Sequence, residues 1–277
     1  MQAANGEVDA EFGALVAEYG AGWTPRIALY FLIALLGGMF VIVGISSKQD
    51  SVVVSAVLAT AALCGLVHFA LACVRLRIFE RGVERRGRLG TKRLAWSQLQ
   101  NYQLELRDPA VAAAGASGGL VGVLAARLIR RMINKKGVPS RVVLIASDGS
   151  KVVLSNVIRS YKEWIEALVA ETTERLFTST KLRFDNGEVI SFGSKLSVQR
   201  EAGISVKGAF GKTQVLTLDT AASAVVEGPL LVIRRSDSNA VWRNVDASSV
   251  LNIGVFQKLL AAYGKPYVEA VPMAWTT

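Results

Sequence analysis

Two runs without a charged side chain, residues 27–47 and 51–74, constrain this chain more than any other feature. Each reaches the roughly 20 residues that a helix needs to cross the hydrocarbon of a bilayer. Only Lys48, Gln49 and Asp50 lie between them. The spacing therefore predicts two spanning helices joined by a tight turn, a transmembrane helical hairpin with both ends on one side. Composition agrees, since 51% of the residues are hydrophobic, 19% are charged and the mean hydropathy is +0.36, more apolar than an ordinary soluble chain. A signal peptide fits the first run poorly, because acidic residues precede it and no A-x-A-like cleavage site follows a short apolar core.

Charge is distributed unevenly. The net +10 arises after residue 74: residues 75–170 hold 18 basic and 7 acidic side chains, and residues 171–277 hold 12 and 10. Arg75, Arg77, Arg81, Arg85, Arg86, Arg88, Lys92 and Arg93 follow the second run directly, against Glu80 and Glu84 alone. Cationic flanks stay in the cytoplasm, so both termini and the bulk of the chain are expected there. Trp23 and Tyr30 suit the aromatic belt of an interface, and Ala34 with Gly38, and Ala61 with Gly65, give each run a small-xxx-small face of the kind through which helices self-associate. Such faces leave a homo-oligomer open. His68, in the second run, reads either as a proton-sensitive group or as a neutral ring bonded to the neighbouring helix; with no acidic partner in either run, the second is favoured.

Beyond residue 74 the apolar period shortens to that of strands, broken by Gly, Asp-Gly and Asn-Gly signals. Strands are expected at 75–79, 83–86, 92–96, 102–106, 141–146 and 151–154, with Asp148-Gly149 as a hairpin turn. A helix is expected at 161–176, where Trp164, Ile165, Leu168, Val169 and Leu176 recur at helical spacing behind a Ser160 cap. The order then repeats: strands at 195–199, 203–206, 214–218, 224–227, 230–234 and 241–245, and a helix at 253–263. One offset of 121 superposes Gly82-Val83 on Gly203-Ile204, Gly90 on Gly211, Leu94 on Val215 and Leu104 on Val225, the mark of an internal duplication. Residues 8–19 read as a surface helix or a tail.

The apolar pair, the arginine-rich strands after it, Leu94-Ala95-Trp96, the Ser147-Asp148-Gly149 hairpin, Ile190-Ser191-Phe192-Gly193 and Val241-Trp242 before Asn252 together resemble an uncharacterised family of bacterial membrane proteins with tandem pleckstrin-homology-like domains. The likeness covers about residues 23–264. It implies an α+β membrane protein of the bacterial inner membrane: an N-terminal segment 1–24, two transmembrane helices within 25–74, a first pleckstrin-homology-like β-barrel at 75–176 and a second at 190–264, each closed by a C-terminal helix, and an extension at 265–277. The family brings no assigned activity with it.

An insertion at 109–136 departs from that plan. Leu120, Val121, Leu124, Leu128, Ile129, Met132 and Ile133 fall at helical spacing opposite Arg127, Arg130, Arg131, Lys135 and Lys136. A basic amphipathic helix of this kind can lie among anionic headgroups; it could equally pack on its own barrel, meet a partner protein or stay a charged loop. Arg127, Arg130, Arg131, Lys135 and Lys136, with Arg85, Arg86 and Arg88, form the expected contact with the anionic inner leaflet. Nucleic acid, the rival acidic partner, is not expected, because no recognition helix or stacking-aromatic motif is present.

Signs of catalysis are missing. Cys64 and Cys73 lie in the second apolar run and form no CxxC, and His68 is the only histidine, which argues against a zinc site and a His-based triad; no cofactor is expected. Gly211-Lys212-Thr213 resembles the end of a phosphate loop, but the position of its first glycine holds Val206, so a strand-to-strand turn is expected. Trp96, Trp164 and Trp242 read as core anchors. The expectation is a non-enzymatic membrane-anchored binding or scaffold protein that recruits a partner. The alternative is an accessory subunit of a larger membrane complex, a transporter or an envelope-stress assembly.

Overall fold

Strand alternation and charge decide how the first part of the chain folds. The computed structural model describes residues 8–9, 11–88, 90–105, 139, 141–155, 158–208, 211–227 and 229–264. They fall into two compact units, one of residues 8–97 with 158–161 and one of residues 98–105, 139–155 and 162–264.

The first unit holds β1 (Val8–Asp9), β2 (Gly13–Gly20), α1 (Trp23–Ser46), α2 (Asp50–Ala72), β3 (Arg75–Phe79), β4 (Gly82–Gly87) and β5 (Gly90–Ala95). The strands form one antiparallel sheet in chain order. Ala17, Ile78, Val83 and Leu94 are paired across four strands on one face, and Ala17, Val83 and Leu94 are buried there. Residues 8–19 are thus neither helix nor tail. Leu15, Ala17 and Tyr19 pair with β3, and a bulge between Leu15 and Ala17 leaves Val16 exposed, as an extra residue in one strand does. Phe12 folds back beside Phe79, with ring centroids 5.8 Å apart. Gly82 makes room for it, because a Cβ there would lie 2.2 Å from the Phe12 ring.

The second unit contains β6 (Leu99–Glu105), β7 (Arg141–Ala146), β8 (Lys151–Ser155), nearly all of α3 (Tyr161–Asp185), β9 (Ile190–Ser191), β10 (Leu196–Gln199), β11 (Gly203–Lys207), β12 (Thr213–Leu216), β13 (Ala221–Glu227), β14 (Leu230–Arg235), β15 (Val241–Asp246) and α4 (Ile253–Ala262). Its sheets run β6-β7-β8, β12-β11-β10-β9 and β13-β14-β15, all antiparallel. A buried polar cluster joins β6 to the start of α4. The Tyr102 hydroxyl lies 2.8 Å from Thr173 Oγ1 and accepts from the Gly254 N–H, while the Tyr102 N–H donates to Asn252 Oδ1 at 2.7 Å.

The duplication has a physical basis. The offset of 121 carries the first residue of β3 onto that of β10, and Gly82, which opens β4, onto Gly203, which opens β11. Each glycine abuts a carbonyl of the next strand: a Cβ would meet Leu94 O at 2.7 Å and Leu216 O at 2.2 Å. Close backbone approach, more than a turn signal, is what keeps a side chain out.

The expected class, a membrane α+β protein with a transmembrane helical hairpin and two pleckstrin-homology-like barrels, is corrected. The chain is mostly small antiparallel sheets with a few helices. Among the described residues one helix, α2 over Asp50–Phe69, is long and apolar enough to cross a membrane. In α1 the described apolar stretch is Ile33–Ser46. Absence of charge is needed for a crossing and does not by itself establish one. The described strands form four open sheets, not two closed barrels. α3 also continues past residue 176, held by the pairs Arg175–Glu171 and Lys181–Asp185 and by buried Phe184; its polar second half has no helical stripe from which this could be read.

Candidate functional site

Cations of the first unit sort into two sets by what lies opposite them in the sheet. Glu18, Arg77, Glu84 and Arg93 are successive cross-strand neighbours on β2, β3, β4 and β5. Charges alternate along that row. Arg77 Nε lies 3.2 Å from Glu18, and Arg93 Nε lies 2.7 Å from Glu84, which is 4% exposed. A buried carboxylate needs such a partner. Arg93 also reaches Asp9 at 3.5 Å, and Arg75 reaches Glu18 at 2.8 Å. Asp9 accepts the N–H groups of Glu11 and Phe12, which hold its carboxyl below the usual value, with Arg93 adding to the effect.

The second set is uncompensated. Arg85, Arg86 and Arg88 have no carboxylate within salt-bridge distance among the described residues, and Arg81, at the other end of the sheet, has none either. Arg85, Arg86 and Arg88 sit at the hairpin end of β4 and β5, closed by the Gly87 and Gly90 pair. Arg86 is directly opposite Arg75, and Arg85 is directly opposite Lys92. Like charges so placed repel. Arg88 rests on the flank of α2, its guanidinium carbon 4.4 Å from the centroid of the Phe69 ring, a cation–π geometry. Phe69 is itself exposed and lies one turn before the end of α2.

The chain leaves this sheet from β2 into α1 and returns from α2 into β3, and the last residue of β2, Gly20, pairs with the first of β3, Arg75. Both ends of the helical excursion are therefore at one place. α1 and α2 touch through Gly37 and Gly44, where a Cβ would lie 2.1 Å from Thr60 Oγ1 and 2.8 Å from Val53. A groove of about 600 Å³ between them is lined by side chains such as Ile33, Phe40, Ala56 and Leu63. Ala34, Gly38, Ala61 and Gly65 are exposed. The Tyr30 hydroxyl is 2.8 Å from His68 Nδ1, so this histidine bonds the neighbouring helix.

Of the expected contact residues, Arg85, Arg86 and Arg88 are brought to one hairpin end. Arg127, Arg130, Arg131, Lys135 and Lys136 lie outside the described residues, as does the amphipathic insertion that carries them. Partner carboxylates Asp9, Glu18 and Glu84 were not legible in the sequence, because pairing depends on register; the one available signal was a run of acids ahead of a run of arginines. Gly211, at φ +76°, lies in the turn between β11 and β12, where the Gly208 N–H donates to Lys212 O at 2.9 Å. Trp96 and Trp164 are buried, whereas Trp242 is only half-buried. No group of three metal-ligating side chains occurs among the described residues. No protein-family model matches the chain, and no curated protein matches it.

Proposed function

We propose that this chain is an integral membrane protein of the binding or scaffold kind, without catalysis of its own: α2 holds it in a bilayer, the basic end of the β4–β5 hairpin meets an anionic leaflet, and the remaining surface recruits a protein partner. The observation that carries this reading is the surface of α2. Val54, Val57, Leu58, Leu63, Leu66 and Phe69 are each between 47% and 64% exposed, in a helix whose apolar window has no buried share. Contiguous apolar surface of this extent needs cover, and a helix apolar all round suits lipid. Because α2 ends at Ala72 and β3 begins at Arg75, the sheet of the first unit lies at the membrane surface where α2 emerges. The arginines there favour the cytoplasmic side, in keeping with a bacterial inner membrane.

Alkaline carbonate extraction of membranes from cells making the full chain tests the reading. Retention in the pellet is expected, and release into the supernatant would overturn it. The alternative, an accessory subunit of a larger membrane assembly, is favoured by one observation, the exposed small residues Ala34, Gly38, Ala61 and Gly65. Replacing α1 and α2 with an unrelated apolar pair separates the two: a scaffold keeps its partner, whereas a subunit loses it.

A further inference from the structure

The hairpin end of β4 and β5 is built with more positive charge than its own sheet neutralises, and it is held against the end of α2. We propose that Arg86 and Arg88 form a binding site for the phosphate of an anionic phospholipid headgroup. The proposal rests on α2 lying in a bilayer.

Three observations converge on it. First, Arg75, Arg77 and Arg93 each have a carboxylate at 3.2 Å or less, whereas Arg85, Arg86 and Arg88 have none among the described residues. Second, the cross-strand pair Arg75 with Arg86 sets like charges opposite each other, and of the two only Arg75 has a carboxylate beside it among the described residues. Such pairs cost stability, and an anion between or beside them removes that cost. Third, the Arg88 guanidinium lies 4.4 Å from the Phe69 ring centroid. Phe69 marks the last turn of the apolar helix, the level at which lipid phosphate begins, and stacking leaves the edge of a guanidinium and its N–H donors free for a phosphate. Lipid phosphate is favoured over free phosphate because the site adjoins the apolar flank of α2, where acyl chains would run.

The experiment uses the full chain, purified in detergent and exchanged with equal phosphatidylcholine and phosphatidylglycerol, with retained lipid counted by native mass spectrometry. A parallel arm asks whether the chain enters pure phosphatidylcholine vesicles. Preferential retention of phosphatidylglycerol is expected, falling about fivefold for each of Arg86→Gln and Arg88→Gln, since each cation near an anionic surface contributes that factor. Arg235→Gln, whose side chain already pairs with Asp237, should leave the preference unchanged. Arg88→Lys should retain part of it, because the positive charge remains, and an unchanged thermal midpoint in Arg86→Gln and Arg88→Gln separates lost lipid from lost fold. Equal retention of both lipids, an unchanged preference in Arg86→Gln and Arg88→Gln, or displacement by millimolar inorganic phosphate would each overturn the site. Failure to enter neutral vesicles would overturn instead the reading on which it rests, so the two failures are distinguishable.

Discussion

At Asn252 one short polar side chain meets two demands. Its backbone is left-handed, at φ +50°, and its amide bonds Tyr102 N and Asn101 Oδ1, each at 2.7 Å. Asn252→Ala leaves the buried Tyr102 N–H without an acceptor and loses the short polar side chain that makes the left-handed backbone tolerable, a loss of about 2–4 kcal/mol. Asn252→Gly removes only the first contribution, so its thermal midpoint should fall between those of the wild type and the alanine variant. Asp185 gives a pH-dependent case. Lys181, and then the Tyr263 hydroxyl, hold its carboxyl below the usual carboxylate range, while burial and Asp185 raise Tyr263. A lowered folded pKa contributes stability above the unfolded value that is lost as pH falls through the folded one. The difference in denaturation midpoint between wild type and Asp185→Asn should therefore be constant near neutrality and shrink below about pH 4, as the pH falls past the ordinary carboxylate value. A difference that persists in strong acid would assign the effect to shape instead of charge.

At the scale of elements, α1 and α2 show how two adjacent glycines differ. Gly37 meets Thr60, and a Cβ on Gly38 would meet nothing within 4 Å. Gly37→Ala should push the helices apart and lower the thermal midpoint in detergent, at a cost of about 1–3 kcal/mol for overpacking. Gly38→Ala should be neutral or stabilising by up to about 1 kcal/mol, the helix propensity gained. The same loss in both would show that a second surface covers Gly38. Element identity was largely legible: a period of two marked β7 and β8, and the apolar stripe of Trp164, Ile165 and Leu168 marked α3. Ends and roles were less so. The end of α3 depends on Phe184 being buried and on the turn at Gly187, φ +82°, and β2 was hidden because Gly13–Gly20 has a bulge that breaks its alternation.

For the whole molecule, topology around the membrane is the testable consequence. With Cys64 and Cys73 replaced, a single cysteine at Ser97 should react with an impermeant reagent only from the side that carries the first unit, and one at Lys48 only from the other. Equal labelling of both from one side would mean that α2 does not cross. Sequence alone determined that something here is too apolar for water, that cations crowd the segment after residue 74, and that strands recur at an offset of 121; each follows from composition or period, which are local. Only the tertiary structure decided that Val8–Asp9 and Gly13–Gly20 are strands, that Gly20 and Arg75 are neighbours, and which arginines are neutralised. Register alone separates Arg77, opposite Glu84, from Arg86, opposite Arg75. Pairing across a sheet joins residues far apart in the chain, and no local pattern records it.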